Sequence, residues 1–171
     1  MPERPSGRSE TEEERLDRNL GELLQELRVA LPGVQVLFAF LLAVPFQQNF
    51  TEISDFDKAM YFVTLLLTAL SAAMLIAPSA YHRLTFRYQQ KHRLVVVSNR
   101  LAIAGLGVLA LAMTCAILFV TNVLWGTVAT TVVTTVLVLL MFGVLWVALP
   151  LRRRLRYRDE GLPAIDPPEE G

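Results

Sequence analysis

LAIAGLGVLALAMTCAILFVTNVLWGTVATTVVTTVLVLLMFGVLWVALPL, residues 101–151, contains no Asp, Glu, Lys or Arg. A soluble chain of 171 residues has no interior large enough to hide such a run. A helix needs about 20 apolar residues to cross the hydrocarbon layer of a bilayer. The run exceeds one crossing and is interrupted at Thr121-Asn122-Val123-Leu124-Trp125-Gly126, so it reads as two spans, about 101–121 and 126–149, paired as an antiparallel hairpin. Working back along the chain, residues 59–81 are equally free of charge, and spans at about 29–50 and 59–80 complete a set of four. The fold class is all-α, a four-helix transmembrane bundle. A soluble bundle with a greasy core would need a polar face on each helix, which these segments lack.

The formal net charge is zero, but the charges collect at the ends and in one central loop. Residues 1–28 carry five Arg against eight Asp and Glu, whereas residues 81–100 carry Arg83, Arg87, Lys91, Arg93 and Arg100 with no acid. Arg152, Arg153, Arg154, Arg156 and Arg158 follow the last span, before an acidic, Pro-rich end. The loop 47–58 holds Glu52, Asp55 and Asp57 against Lys58 alone, and 121–126 holds no charge. Lys and Arg near membrane boundaries are retained on the cytoplasmic side. The pattern therefore predicts a multi-pass plasma-membrane protein with both termini in the cytoplasm. The acidic start lacks the basic and apolar regions of a cleavable export signal. Cys115 is a lone thiol in the third span and reads as a packing residue.

Residues 1–10 read as mobile. Thr11-Glu12-Glu13-Glu14 offers a capping box. Leu16, Leu20, Leu23 and Leu27 then fall on one helical stripe, widened by Leu24, with Glu14 and Arg18 paired on the other side. This predicts an N-terminal cytoplasmic amphipathic helix over 11–31 whose leucines need a cover. Helices that lie among lipid headgroups are rich in Lys and Arg. This one carries Asp17, Glu22 and Glu26, so a protein partner, a second copy or the chain's own central loop competes with lipid. Leu31-Pro32-Gly33 predicts a kink or short break before the membrane domain, 32–151. Pro78 and Pro150 are read as the inner ends of the second and fourth spans, and 152–171 as a basic, then acidic, disordered tail.

Within the spans, polar groups are few. Thr64, Thr68 and Ser71 recur at helical spacing and can bond to carbonyls of their own helix or of a neighbour. Ala69, Ala72 and Ala73, and Gly105-Leu106-Gly107, permit close helix approach, since the latter lacks the rest of a dinucleotide-binding fingerprint. Thr127, Thr131, Thr134 and Thr135 share a face of the fourth span. Gln35, Thr131 and Thr135 are candidates for a polar path, set against ordinary packing with hydroxyls bonded back to helix carbonyls.

The densest polar stretch near the membrane is 81–93, where basic and aromatic residues alternate as they do against anionic headgroups. Nucleic-acid binding uses the same residue types, but confinement to a membrane argues against it. His82 and His92 stand ten apart with no Cys, Asp or Glu between them, a spacing that fits no metal site. No HExxH, paired carboxylates or activated nucleophile is present, so the reading is of a non-enzyme without cofactors. The candidate interaction and lipid-contact residues are Glu22, Glu26 and Arg28 before the first span. His82, Arg83, Arg87, Lys91, Arg93 and Arg100 follow in the centre, and Arg152, Arg153 and Arg154 after the last span. Anionic membrane lipids are the expected partners, with a homo-oligomer or another membrane protein beside them. Asn49-Phe50-Thr51 matches the glycosylation tripeptide but sits against the membrane.

Leu23-Leu24-Gln25-Glu26-Leu27-Arg28-Val29, continuing through Pro32-Gly33-Val34-Gln35-Val36-Leu37-Phe38-Ala39-Phe40-Leu41-Leu42 to Pro45-Phe46, resembles an uncharacterised family of small four-span bacterial membrane proteins, largely actinobacterial. Ala77-Pro78, Tyr81-His82-Arg83, Phe86-Arg87 and Asn99-Arg100 agree with it, over about residues 20–155. The resemblance implies an architecture, and some relatives carry the label sodium/proton antiporter. Exchange of that kind calls for a titratable group inside the membrane. The four spans as delimited above contain no Asp or Glu.

Overall fold

The computed structural model describes residues 12–48, 50–85, 91–152 and 155, and every regular element among them is helical. Helix α1 spans Glu12–Ala43, α2 Asp55–Thr85, α3 Lys91–Trp125 and α4 Val128–Phe142. A 3-10 turn at Val44–Phe46 and another at Phe50–Glu52 join α1 to α2. A π-helical turn at Gly143–Ala148 continues α4, and helix resumes to Arg152. Four segments, Glu14–Phe46, Asp55–Tyr81, Leu94–Trp125 and Val128–Arg152, are long and apolar enough to cross a membrane, which makes this a multi-pass membrane protein.

The first three helices are longer than a crossing requires. At 32 residues α1 rises about 48 Å, against a hydrocarbon layer of about 30 Å. The excess lies at the end where α1 starts, α2 finishes and α3 starts. This is the arginine end of the bundle, and the opposite one is the Asp57 end.

The expected break at Leu31-Pro32-Gly33 is absent, because α1 runs unbroken through Pro32. Leu20, Leu27, Val34 and Leu41 are all buried, seven residues apart, so one seam continues from the charged segment into the apolar one. Pro32 is exposed, away from that seam, and its missing N–H leaves the packed face untouched. The leucine face of the amphipathic segment is covered by the chain itself. Leu27 and Val34 form one core cluster with Leu75 of α2 and Ala102 of α3, flanked by Leu23, Leu31 and Leu106.

Two further proline readings are corrected. Pro78 is fully buried inside α2, which continues to Thr85, and helix also continues past Pro150. A proline interrupts a helix by removing one bond and crowding the carbonyl four residues back. At Pro150 the helix widens into the π turn just before the ring, with the Leu149 N–H reaching the Val144 carbonyl five residues back. At Pro78 the surrounding helices hold the segment in place.

Helices α2 and α3 form the closest pair. A Cβ at Gly105 would lie 2.9 Å from Leu75 Cδ2 and 3.2 Å from Met74 Cβ, so only glycine allows this approach. The Ser71 hydroxyl donates to the Gly105 carbonyl at 2.9 Å across the same contact. Thr64 and Thr68 instead bond back to the carbonyls of Met60 and Thr64. At the other end of the bundle Gly126, with φ of +60°, closes α3 by donating its N–H to the Asn122 carbonyl at 2.8 Å. The chain reverses there into α4, the expected hairpin. Among the described elements α4 packs on α3 alone, leaving a three-helix core with a peripheral fourth helix.

Candidate functional site

The α1 seam decides which side chains face α3 at the arginine end. Beside Leu20 and Leu27 lies the stripe Asn19, Glu22, Leu23 and Glu26, and opposite it α3 presents Val95, Val96, Asn99 and Arg100. Together they line a cavity of about 380 Å³, at the small end of the range for ligand clefts. It holds two carboxylates, two amides and one guanidinium above an aliphatic floor. Arg18 Nε lies 3.8 Å from Glu22 Oε1, an exposed pair that contributes little to stability. Neither Glu22 nor Glu26 forms an ion pair with Arg100 among the described residues; Glu22 is shared with Arg18, and Glu26 remains available to an occupant. Behind the cavity Ser98 is 1% exposed, and its hydroxyl has no hydrogen-bond partner among the described residues.

The cavity lies where the charged segments end. Arg28 is the last charge before the apolar run of α1, and Arg100 the last before that of α3. Its depth is therefore that of the headgroup boundary.

The other interaction candidates are distributed as follows. Arg28, Arg83 and Arg152 are exposed. His82 lies in α2, and Lys91 and Arg93 in the first turn of α3, with side chains outside the described residues. Arg87, Arg153 and Arg154 lie outside the described residues, as do Thr11 of the capping box, Asn49 of the glycosylation tripeptide, and the terminal segments. The structure thus brings Glu22, Glu26 and Arg100 together. It does not bring together the polar-path residues. Gln35 is exposed on α1, whereas Thr131 and Thr135 lie on α4, which does not touch α1. The Thr135 hydroxyl is committed to the Thr131 carbonyl at 2.7 Å.

At the Asp57 end the structure reveals a polar cluster that the sequence reading passed over. Helix α2 begins at Asp55, so Asp57 lies in its first turn and is only 6% exposed. Ser54 Oγ accepts from the Asp57 N–H at 3.1 Å and donates to Asp57 Oδ2 at 2.6 Å. Asn122 Nδ2 of α3 donates to Asp57 Oδ1 at 2.8 Å, and Thr131 of α4 donates to Asn122 Oδ1 at 3.4 Å. One buried carboxylate therefore ties α2 to α3 and, through Asn122, to α4. Asp57 lies just before the apolar span read as 59–80, but in the same continuous helix, which starts at Asp55. The available signal was Ser54-Asp55-Phe56-Asp57 before an apolar run, the pattern of an N-terminal capping box. Among the described residues no three His, Cys, Asp or Glu side chains come together to hold a metal ion.

The sequence of the family of unknown function DUF6328 matches residues 9–150, most of the chain. The chain belongs to DUF6328. No curated protein and no solved structure matches it. DUF6328 membership covers both features just described, the cavity at the arginine end and the Asp57 cluster, and attaches no activity to either.

Proposed function

We propose that this DUF6328 protein is a plasma-membrane protein with both termini in the cytoplasm that acts by contact rather than catalysis, through the helical collar at its arginine end. The observation that carries this reading is the cavity between α1 and α3, where Glu22, Glu26 and Arg100 are presented at the membrane boundary on packed helices. Rigid elements hold interacting side chains more precisely than loops do. The clustering of Arg83, Arg100 and Arg152 at one end supports the orientation. Its partners are anionic headgroups at the basic segments and a protein, either a second copy or another membrane protein.

A photo-crosslinking residue at position 22 or 96, compared with one at position 52, tests the reading in native membranes. Discrete adducts from the collar positions alone support it; adducts from position 52 alone, or from none, remove it. Labelling with a membrane-impermeant maleimide, in a Cys115→Ser background, should reach a cysteine at position 52 and not one at 152 in intact cells.

A second reading, cation/proton exchange, is favoured by the buried carboxylate of Asp57 within a membrane-crossing helix. Proton flux into liposomes driven by a cation gradient and abolished by Asp57→Asn would establish it. No flux above that of empty liposomes would remove it.

A further inference from the structure

We infer that the cavity between α1 and α3 binds the headgroup of a phospholipid carrying a primary ammonium, of the phosphoethanolamine type, with an acyl chain running up the groove between the two helices. The inference rests on the contact reading of the collar and names its lipid ligand.

The charges of the lining select a zwitterion. Two carboxylates, Glu22 and Glu26, face one guanidinium, Arg100, within a single cavity. A purely anionic headgroup would meet two carboxylates, and a purely cationic group would leave Arg100 unmatched. With Glu22 shared with Arg18, a phosphate against Arg100 and an ammonium against Glu26 match the charges present, with charge-assisted hydrogen bonds on both sides.

The donor and acceptor inventory selects a primary over a quaternary amine. A primary ammonium carries three N–H donors, and the carboxylates, with the side-chain carbonyls of Asn19 and Asn99, supply the acceptors. A choline head has no N–H to donate and is recognised by aromatic cages. None of the lining residues is aromatic.

The surface above the cavity supplies the place for a chain. Seven residues beyond Glu26 stands Gly33, and seven beyond Arg100 stands Gly107, each on the same helical stripe as the lining residue below it. A Cβ built at either glycine meets nothing within 4 Å. Between cavity and glycines, Val29 and Ile103 are exposed, at 76% and 64%. Two parallel helices thus offer an exposed apolar strip that starts at a charged headgroup cavity, passes Val29 and Ile103 and opens at the two glycines. Gly105, two residues away, is closely packed, so the openness at Gly107 is specific to this side of α3.

The test is retention of lipid by the full-length protein, purified in mild detergent from mixed vesicles of phosphatidylethanolamine, phosphatidylcholine and phosphatidylglycerol with identical chains, and read by native mass spectrometry. Wild type should retain the ethanolamine lipid at least about tenfold over the choline lipid, a difference of about 1.4 kcal/mol. Glu22→Gln with Glu26→Gln should abolish the preference, whereas Arg100→Gln, which removes the partner of the phosphate common to all three lipids, should lower retention of each of them and Arg100→Lys should keep that retention. Gly33→Leu with Gly107→Leu fills open space, so it should lower retention of all three lipids in a protein that remains monodisperse. Equal retention of ethanolamine and choline lipids, or a preference unchanged in the Glu22/Glu26 variant, overturns the proposal. Displacement by soluble phosphoethanolamine at the same concentration as the lipid also overturns it, since the chain groove would then contribute nothing. Collar crosslinks to a protein that persist without any lipid preference would leave the contact reading standing, and loss of both would remove both.

Discussion

The Tyr61 hydroxyl donates a 3.0 Å hydrogen bond to the Leu41 carbonyl, twenty residues back and on a different helix. In a regular helix that carbonyl would receive the N–H of residue 45, which is Pro45 and has none. Tyr61 thus supplies from α2 the donor that proline withholds from α1, in a buried cluster where its ring also meets Phe50 and Phe119. Pro45 can therefore end α1 without leaving an unsatisfied acceptor in apolar surroundings.

Tyr61→Phe keeps the ring and removes the donor, so it should lower stability by about 1–3 kcal/mol, the range for a buried polar group left unpaired. Unfolding in detergent micelles measures this. In a Pro45→Ala background the restored N–H can serve Leu41, so the same substitution should cost less. Equal losses in both backgrounds would show that the hydroxyl acts elsewhere.

Gly105→Leu should force α2 and α3 apart and break the bond from Ser71, lowering stability by about 1–3 kcal/mol as overpacked cores do. Gly107→Leu, two residues on, should leave unfolding nearly unchanged because it projects into open space. A cysteine pair across α2 and α3 that no longer crosslinks in Gly105→Leu would report the separation directly.

Asp57→Ala and Asn122→Ala should each loosen the attachment of the hairpin, by about 1.5–3 kcal/mol for a hydrogen bond to a charged group. The double variant should lose less than the sum, because both substitutions remove the same 2.8 Å bond. Faster proteolytic cleavage near Gly126 in either single variant is the accompanying readout. Strict additivity would mean that the two side chains do not depend on each other.

Ser98→Ala should stabilise the protein by about 1 kcal/mol, since it removes a buried hydroxyl that has no partner among the described residues. A fall in thermal midpoint would indicate that the hydroxyl is occupied in the membrane, by water or by a neighbouring group.

Much of the architecture was legible in the chain. Residues 101–151 could only be two crossings, and the leucine spacing before Val29 announced a helix with a packed face. The charged half of the cavity was also legible, because Glu22, Glu26 and Arg100 stand out as charges next to apolar runs. The prolines misled. Their effect depends on whether a ring points to the exposed side, as at Pro32, is held by neighbouring helices, as at Pro78, or is relieved by a wider turn, as before Pro150. Asp57 was passed over because it was counted with the loop before 59, when Ser54 starts the helix earlier.

By itself the sequence determined the number of crossings, the hairpin at Gly126 and the sorting of charge between the two ends. All of these follow from the requirement that a chain in hydrocarbon satisfy its backbone internally and keep its charges out. Only the tertiary structure decided which face of each helix is inside. In water the apolar stripe marks the core, but in lipid the outer face is apolar as well, so hydrophobic periodicity fades where the membrane begins. That is why the Leu20–Leu27 seam could be read in advance, while its continuation through Val34 and Leu41, the peripheral place of α4 and the meeting of Asp57 with Asn122 could not.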